Sequence, residues 1–183
     1  QAAARDARYS AAEGLRRERG LDWIASGHTR TDLAETVVYR LATSPGRRAL
    51  LGLAPQRGRV VRPLLGLGRR QVRALAERGE LPFHDDPTNA GPLYARNRSR
   101  NEVMRVLGEI GPAAEETIAE TQAELREEAE ALGRLAAEAI GVAPSAGPDS
   151  IGVDDLARLD PAIRRLVLRE LAERVAGGPV ALG

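Results

Sequence analysis

The chain contains no cysteine and, although 27 of its residues are basic, no lysine. The first absence excludes disulfides, thiolate nucleophiles, iron–sulfur ligation and cysteine-based zinc sites within these residues. The second excludes a lysine Schiff base and a phosphate-loop lysine. The exclusive use of arginine is ascribed to GC-rich coding and is given no function. Histidine is confined to His28 and His84, too few for a histidine-rich metal cage. No apolar run approaches the roughly 20 residues of a membrane-spanning helix, and no signal-peptide pattern opens the chain, so a cytoplasmic location is expected. Gln1 stands first and Met104 is the sole methionine, which leads us to expect a fragment of a longer protein.

What is present is unevenly distributed. The 183 residues suffice for one ordinary domain, or one domain with a small appendage. Residues 1–107 hold 20 Arg against 11 acidic residues, and residues 108–183 hold 7 against 15. A net charge of +1 therefore hides a part at +9 joined to a part at −8. Clustered arginines are the footprint of a polyanion site, so nucleic acid, nucleotide or both are expected partners. The plainer alternative is that the two parts neutralise each other across an interface.

The hydrophobic periodicity sets the order of elements. Residues 2–19 have a helical pattern, residues 21–26 read as a buried strand, and a helix runs from about Thr31 to Leu41. Pro45 and Gly46 end that helix in an arginine-rich turn. Val60–Leu65 is a second apolar run, Gln71–Arg78 is helical and closed by Gly79, and Leu81-Pro82-Phe83 is extended before the polar loop from His84 to Asn89. Alternating strand and helix predicts a parallel α/β sheet. From Arg96 the pattern turns helical, with one long helix over Pro112–Ile140. Residues 143–150 form a linker. Leu156, Leu159, Ile163, Leu166, Val167 and Leu171 form the apolar stripe of a small helical end, and Gly177-Gly178 reads as a helix stop. Trp23 and Phe83 are expected in the core.

The densest chemistry lies in residues 27–36, Gly-His-Thr-Arg-Thr-Asp-Leu-Ala-Glu-Thr. His28 falls at the carboxyl end of the expected strand, the edge where open α/β sheets bind ligands, and Asp32 and Glu35 return to one helical face. Such a group can bind metal, polarise a phosphate or hold an amine. It can also be a plain helix start, with Thr31 or Asp32 as N-cap and Glu35 completing a capping pair worth roughly 1 kcal/mol. His84, between Phe83 and Asp85, reads as structural.

Five segments then share one order: Ala4-Arg5-Asp6-Ala7-Arg8-Tyr9; Gly27-His28 with Thr31–Thr36; Val61-Arg62-Pro63-Leu64-Leu65; Asp86-Pro87-Thr88-Asn89; and Tyr94-Ala95-Arg96-Asn97-Arg98-Ser99-Arg100. On these residues the chain resembles the tRNA(Ile)-lysidine synthetases, members of the pyrophosphate-loop ATPases. Two departures stand out. The family has adjacent aspartates where this chain has Thr31-Asp32, and the Ser-Gly-Gly-x-Asp-Ser loop that cradles phosphate through backbone N–H groups does not occur here. That loop is expected to precede Gln1.

The resemblance implies an α/β fold: a parallel-sheet, Rossmann-like catalytic domain, N-terminally incomplete, over 1–107, a linker helix over 108–142, and a small all-α domain over 143–183 that assists tRNA selection. It implies a ligase that uses ATP and Mg2+ to adenylate the C2 oxygen of the wobble cytidine of tRNA(Ile), after which free lysine displaces AMP and lysidine forms. Arg8 and His28 would contact ATP; Asp32 and Glu35 would hold lysine, one of them accepting its proton; His28, Asp32 and Glu35 together make the catalytic group. Asp32 could instead bind Mg2+. Arg96, Arg98 and Arg100 would bind tRNA, with Tyr94 as a stacking residue, since guanidinium forks and aromatic faces suit phosphate and splayed bases.

The Glu-rich face of residues 115–130 reads as solvated rather than RNA-binding. Without the phosphate loop the isolated chain is expected to be inactive. A noncatalytic tRNA-binding fragment, or half of a split enzyme, is the alternative. A related tRNA thiolase is a third reading, weakened by the lack of cysteine. The oligomeric state is left open, a homodimer included.

Overall fold

A computed structural model of the chain describes residues 2–84, 102–178 and 180. The chain divides into two compact units, residues 1–123 and 124–183.

In the first unit, helix α1 (Ala2–Glu18) leads to strand β1 (Ile24–Ala25), helix α2 (Arg30–Thr43) and a one-turn helix α3 (Arg47–Leu50). Strands β2 (Gln56–Arg57) and β3 (Val60–Val61) precede α4 (Arg69–Arg78), α5 (Met104–Ile110) and the start of α6 (Ala114–Val142). Among the described residues the strands form one sheet in the order β1-β3-β2. β1 pairs with β3 in parallel, Ile24 against Val60, and the ladder runs on through the Ser26 N–H donating to the Val61 carbonyl at 2.9 Å.

The β2–β3 pair is antiparallel, so the sheet is mixed where an all-parallel one was expected. The cause is local. Gly58 takes a φ of +57°, which lets Arg57 and Val60 join through a two-residue hairpin instead of a helical crossover.

The core of this unit gathers Leu33 and Val37, one turn apart on α2, with Leu53 and Leu65 from the flanking loops. Leu50 of α3 and Ile118 and Ala119 of α6 close over them. Full burial of such side chains is worth about 1.5–3 kcal/mol each. Trp23 and Phe83, expected in the core, are instead 46% and 49% exposed. Trp23 stands before β1, beside the hairpin, where the Arg59 guanidinium lies 5.6 Å from its ring; Arg73 covers Phe83 at 5.1 Å. A cation on an exposed ring face is worth about 0.5–1 kcal/mol and leaves the rest of the ring in water.

In the second unit, the later turns of α6 are followed by α7 (Val153–Ala157) and α8 (Pro161–Ala176). Pro161 at the first turn and Gly177, at φ +65°, delimit α8, so the expected glycine stop is present. Ala136 and Ile140 of α6 pack on Val167 and Leu171, with Leu156, Leu159, Ile163 and Leu166 around them. The stripe read from periodicity is thus the core-facing side. Among the described residues no helix is long and apolar enough to cross a membrane.

Candidate active site at the carboxyl edge of β1

The chain leaves β1 through Ser26 and Gly27, and the N-terminus of α2 opens at once. Thr29 is the N-cap, two residues before the cap position read from the sequence. Its hydroxyl faces the Asp32 N–H at 3.4 Å, while its own N–H and O–H each donate to Asp32 Oδ2 at 2.8 Å. Asp32 is therefore the N3 partner of a capping box rather than the cap, and Glu35 is left for other work. Glu35 is 3% exposed.

Burial alone would raise the Asp32 carboxyl, but the Thr29 N–H and hydroxyl, the Arg69 guanidinium and His28 together hold it below its ordinary value. Arg69, the first residue of α4, lies across the pair. Its Nη2 is 3.3 Å from Asp32 Oδ1 and 3.3 Å from Glu35 Oε1. The carboxylates do share a face of α2, and an arginine 34 residues beyond Glu35 in sequence sits on both.

Thr31, where the resemblance led us to look for an aspartate, links three elements. Its buried hydroxyl accepts the Arg69 backbone N–H at 3.1 Å and donates to Glu115 at 2.7 Å. Arg30 beside it pairs with Glu116. The face of 115–130 is thus not wholly solvated: Glu115 and Glu116 are turned onto α2, whereas Glu120, Glu124, Glu127, Glu128 and Glu130 are exposed. Basic and acidic parts of the chain meet here.

A cavity of about 280 Å³ is lined by Arg8 and Tyr9 of α1 and by Ile24, Ala25, Ser26 and His28. The His28 Nδ1 lies 2.5 Å from Ser26 Oγ, which orients the ring. A volume near 300 Å³ is at the small end of ligand sites and admits part of a nucleotide. Asp32 and Glu35 do not line this cavity, though His28 is near enough to Asp32 for its charge to act on that carboxyl. The structure thus assembles Arg8 with His28, and Asp32 with Glu35, as two neighbouring groups.

Among the described residues no cluster of three or more His, Asp or Glu side chains could hold a metal ion. Arg62, in the Val61–Leu65 segment, is buried and donates to the Ala54 carbonyl at 2.6 Å, a structural task. A cavity of about 470 Å³ in the second unit is lined by Ser145, Asp154, Asp155 and Arg158, but Asp155 is already tied to Ser145 and Arg158.

A PP-loop domain model matches residues 1–107. The chain belongs to the PP-loop family. The resemblance read from the five segments therefore holds, and the match extends beyond the PP-loop domain. The chain is 39% identical over 176 residues to the tRNA(Ile)-lysidine synthase of Thermobifida fusca strain YX, covering 94% of this chain and 53% of that one. With the tRNA(Ile)-lysidine synthase of Streptomyces coelicolor the identity is 39% over 184 residues, covering 98% and 51%. The chain spans about half the length of the curated relatives it matches.

Among solved structures, the U34-tRNA thiolase NcsA from Methanococcus maripaludis with its [4Fe-4S] cluster aligns with a TM-score of 0.53 and 20% identity, over 68% of this chain and 43% of that one. That likeness is one of fold. The PP-loop chain has no cysteine to ligate such a cluster.

Of the sequence-predicted site residues, Arg96, Arg98, Arg100 and Tyr94 lie outside the described residues, as does the Asp86–Asn89 segment. His84 is exposed. The residues that sequence reasoning missed are Thr29, Arg69, Glu115 and Glu116. Thr29 alone had a local signal, a threonine three residues before an acidic one.

Proposed function

We propose that this PP-loop chain carries the nucleotide- and lysine-handling part of an ATP-dependent carbon–nitrogen ligase that forms lysidine at the wobble cytidine of tRNA(Ile) in the cytoplasm. The observation that carries the reading is the pairing, at one sheet edge, of an Arg8–His28 cavity with an Asp32–Glu35 carboxylate pair, in a chain 39% identical over nearly its whole length to tRNA(Ile)-lysidine synthases.

In this reading the C2 oxygen of the cytidine attacks the α-phosphate of ATP and pyrophosphate leaves. Arg8 and His28 offset the charge that gathers on the phosphate. The lysine side-chain amine then attacks C2 and AMP departs. Asp32 and Glu35 attract the ammonium form of that amine, and one of them takes the proton it sheds. Asp32 is held below its ordinary range and so keeps its charge toward the ammonium group.

Mg2+, bound with the nucleotide, would supply charge neutralisation. Because Mg2+ keeps waters and phosphate oxygens and needs only one or two carboxylates, the absence of a three-ligand cluster among the described residues is no obstacle; Asp32 would be its donor only in place of holding the ammonium group. Arg96, Arg98 and Arg100, with Tyr94, complete the RNA contact. Residues 1–107 form the catalytic domain, 108–142 the linker helix and 143–183 the helical domain that assists tRNA selection.

The test is ATP-dependent attachment of labelled lysine to tRNA(Ile), with the chain alone and with the further segments of its longer relatives supplied in trans. Incorporation in the second case, with none alone, supports the ligase. RNA binding with no incorporation in either case assigns the chain to a noncatalytic tRNA-binding role, and incorporation of sulfur in place of lysine assigns it to the thiolases.

A further inference from the structure

We infer that Arg69 is an exchangeable counter-ion: it offsets charge on the Asp32–Glu35 pair while no substrate is present and yields the pair to the ammonium group of the incoming amino acid. This rests on the reading of that pair as the lysine site.

The Glu35 side chain is 4% exposed, and a carboxylate so buried needs a cation beside it. Arg69 supplies that cation with a single nitrogen, 3.3 Å from each carboxylate. Unstrained charge-assisted N–H···O contacts are about 2.7–2.9 Å, so both contacts are long. Asp32 Oδ2 already accepts the N–H and hydroxyl of Thr29. Oδ1 is therefore the oxygen through which Asp32 meets a new cation, and it is the oxygen on which Arg69 rests.

What anchors Arg69 is its backbone. Its N–H is held by Thr31 at 3.1 Å, while its side chain is 40% exposed and has solvent to swing into. An ammonium is compact, with three donors pointing in separate directions, and can approach two carboxylates at normal distance, whereas the guanidinium nitrogen stands 3.3 Å from each. Exchange thus replaces two long contacts by short ones and keeps a cation beside Glu35 throughout. It also makes the site selective, because an uncharged side chain of similar length has nothing with which to displace the arginine.

The experiment titrates L-lysine, and norleucine as the uncharged analogue, into the chain and into Arg69→Met by calorimetry, with thermal midpoints recorded alongside. Partly exposed ion pairs are weak, so removing the competitor is expected to tighten lysine binding by about fivefold. The midpoint of Arg69→Met should fall without lysine and recover more on its addition than that of the parent. Norleucine should bind neither. If Arg69→Met does not fold, Arg69→Gln, shorter and uncharged but still polar, carries the same expectation. Weaker lysine binding in the variant would mean that Arg69 helps hold the amino acid, and unchanged binding with only a lower midpoint would make it structural; either overturns the exchange. No lysine binding by parent or variant overturns the lysine-site reading itself, and the exchange with it.

Discussion

The Thr31 hydroxyl and the Glu115 carboxylate meet at 2.7 Å across 84 residues of sequence, and the same hydroxyl receives the backbone N–H that starts α4. One buried oxygen thereby ties α2, α4 and α6 around the carboxylate pair. A carboxylate at position 31 would face Glu115 as a like charge, whereas a hydroxyl can donate to Glu115 and accept from Arg69 at once.

Replacing Thr31 by valine keeps the shape and removes both bonds, leaving the Arg69 N–H without its acceptor. The expected loss is about 1–3 kcal/mol in the free energy of unfolding, measured by urea titration. Thr31→Asp should cost more at neutral pH than at pH 4, and Glu115→Gln should restore most of that difference.

Asp32 combines a cap with a depressed pKa, so its contribution depends on pH with a definite sign. A carboxyl whose folded pKa lies below its unfolded value, about 3.9, stabilises fully above that value and loses the contribution as pH falls through the folded pKa. Asp32→Asn should therefore be less stable than the parent by about 1 kcal/mol at pH 7. Below pH of about 4 the gap should narrow, as thermal midpoints across the range would reveal. A constant gap would mean that shape, and not charge, makes the cap.

Glu35→Gln preserves shape and removes charge recognition. In the lysine-ligation assay, incorporation should fall by about two orders of magnitude or more while tRNA affinity stays within about twofold, since the loss falls on the amine-handling step. A comparable fall in tRNA affinity would place Glu35 in the RNA contact.

Arg100→Ala acts on the other partner. tRNA binding should weaken, and the slope of log K against log salt concentration should become shallower by about 0.7–0.9, the share of one phosphate contact. An unchanged slope would remove Arg100 from the phosphate contacts.

In the helical unit, Leu171→Ala empties part of the core formed with Ala136, Ile140 and Val167 and should cost about 2–5 kcal/mol. Exposed Leu168, three residues earlier on α8 and 45% accessible, serves as control; Leu168→Ala should cost under 1 kcal/mol.

The lesson for reading such a chain lies in which separations carried information. The helix from about Thr31, the run from Leu156 to Leu171, the turn at Pro45-Gly46 and the stop at Gly177 were legible because each depends on neighbours about one helical turn away, where side-chain period and backbone freedom act directly. His28 at the strand edge, and Asp32 with Glu35 on one face, were legible for the same reason. Tertiary packing decided the rest: that Arg69 lies on that carboxylate pair, that Glu115 and Glu116 turn inward while the following glutamates face water, and that Trp23 keeps half its surface exposed. Those outcomes join residues 34 to 86 positions apart, or depend on what covers a face. Local periodicity says that a surface is apolar or charged; only the folded chain chooses what meets it.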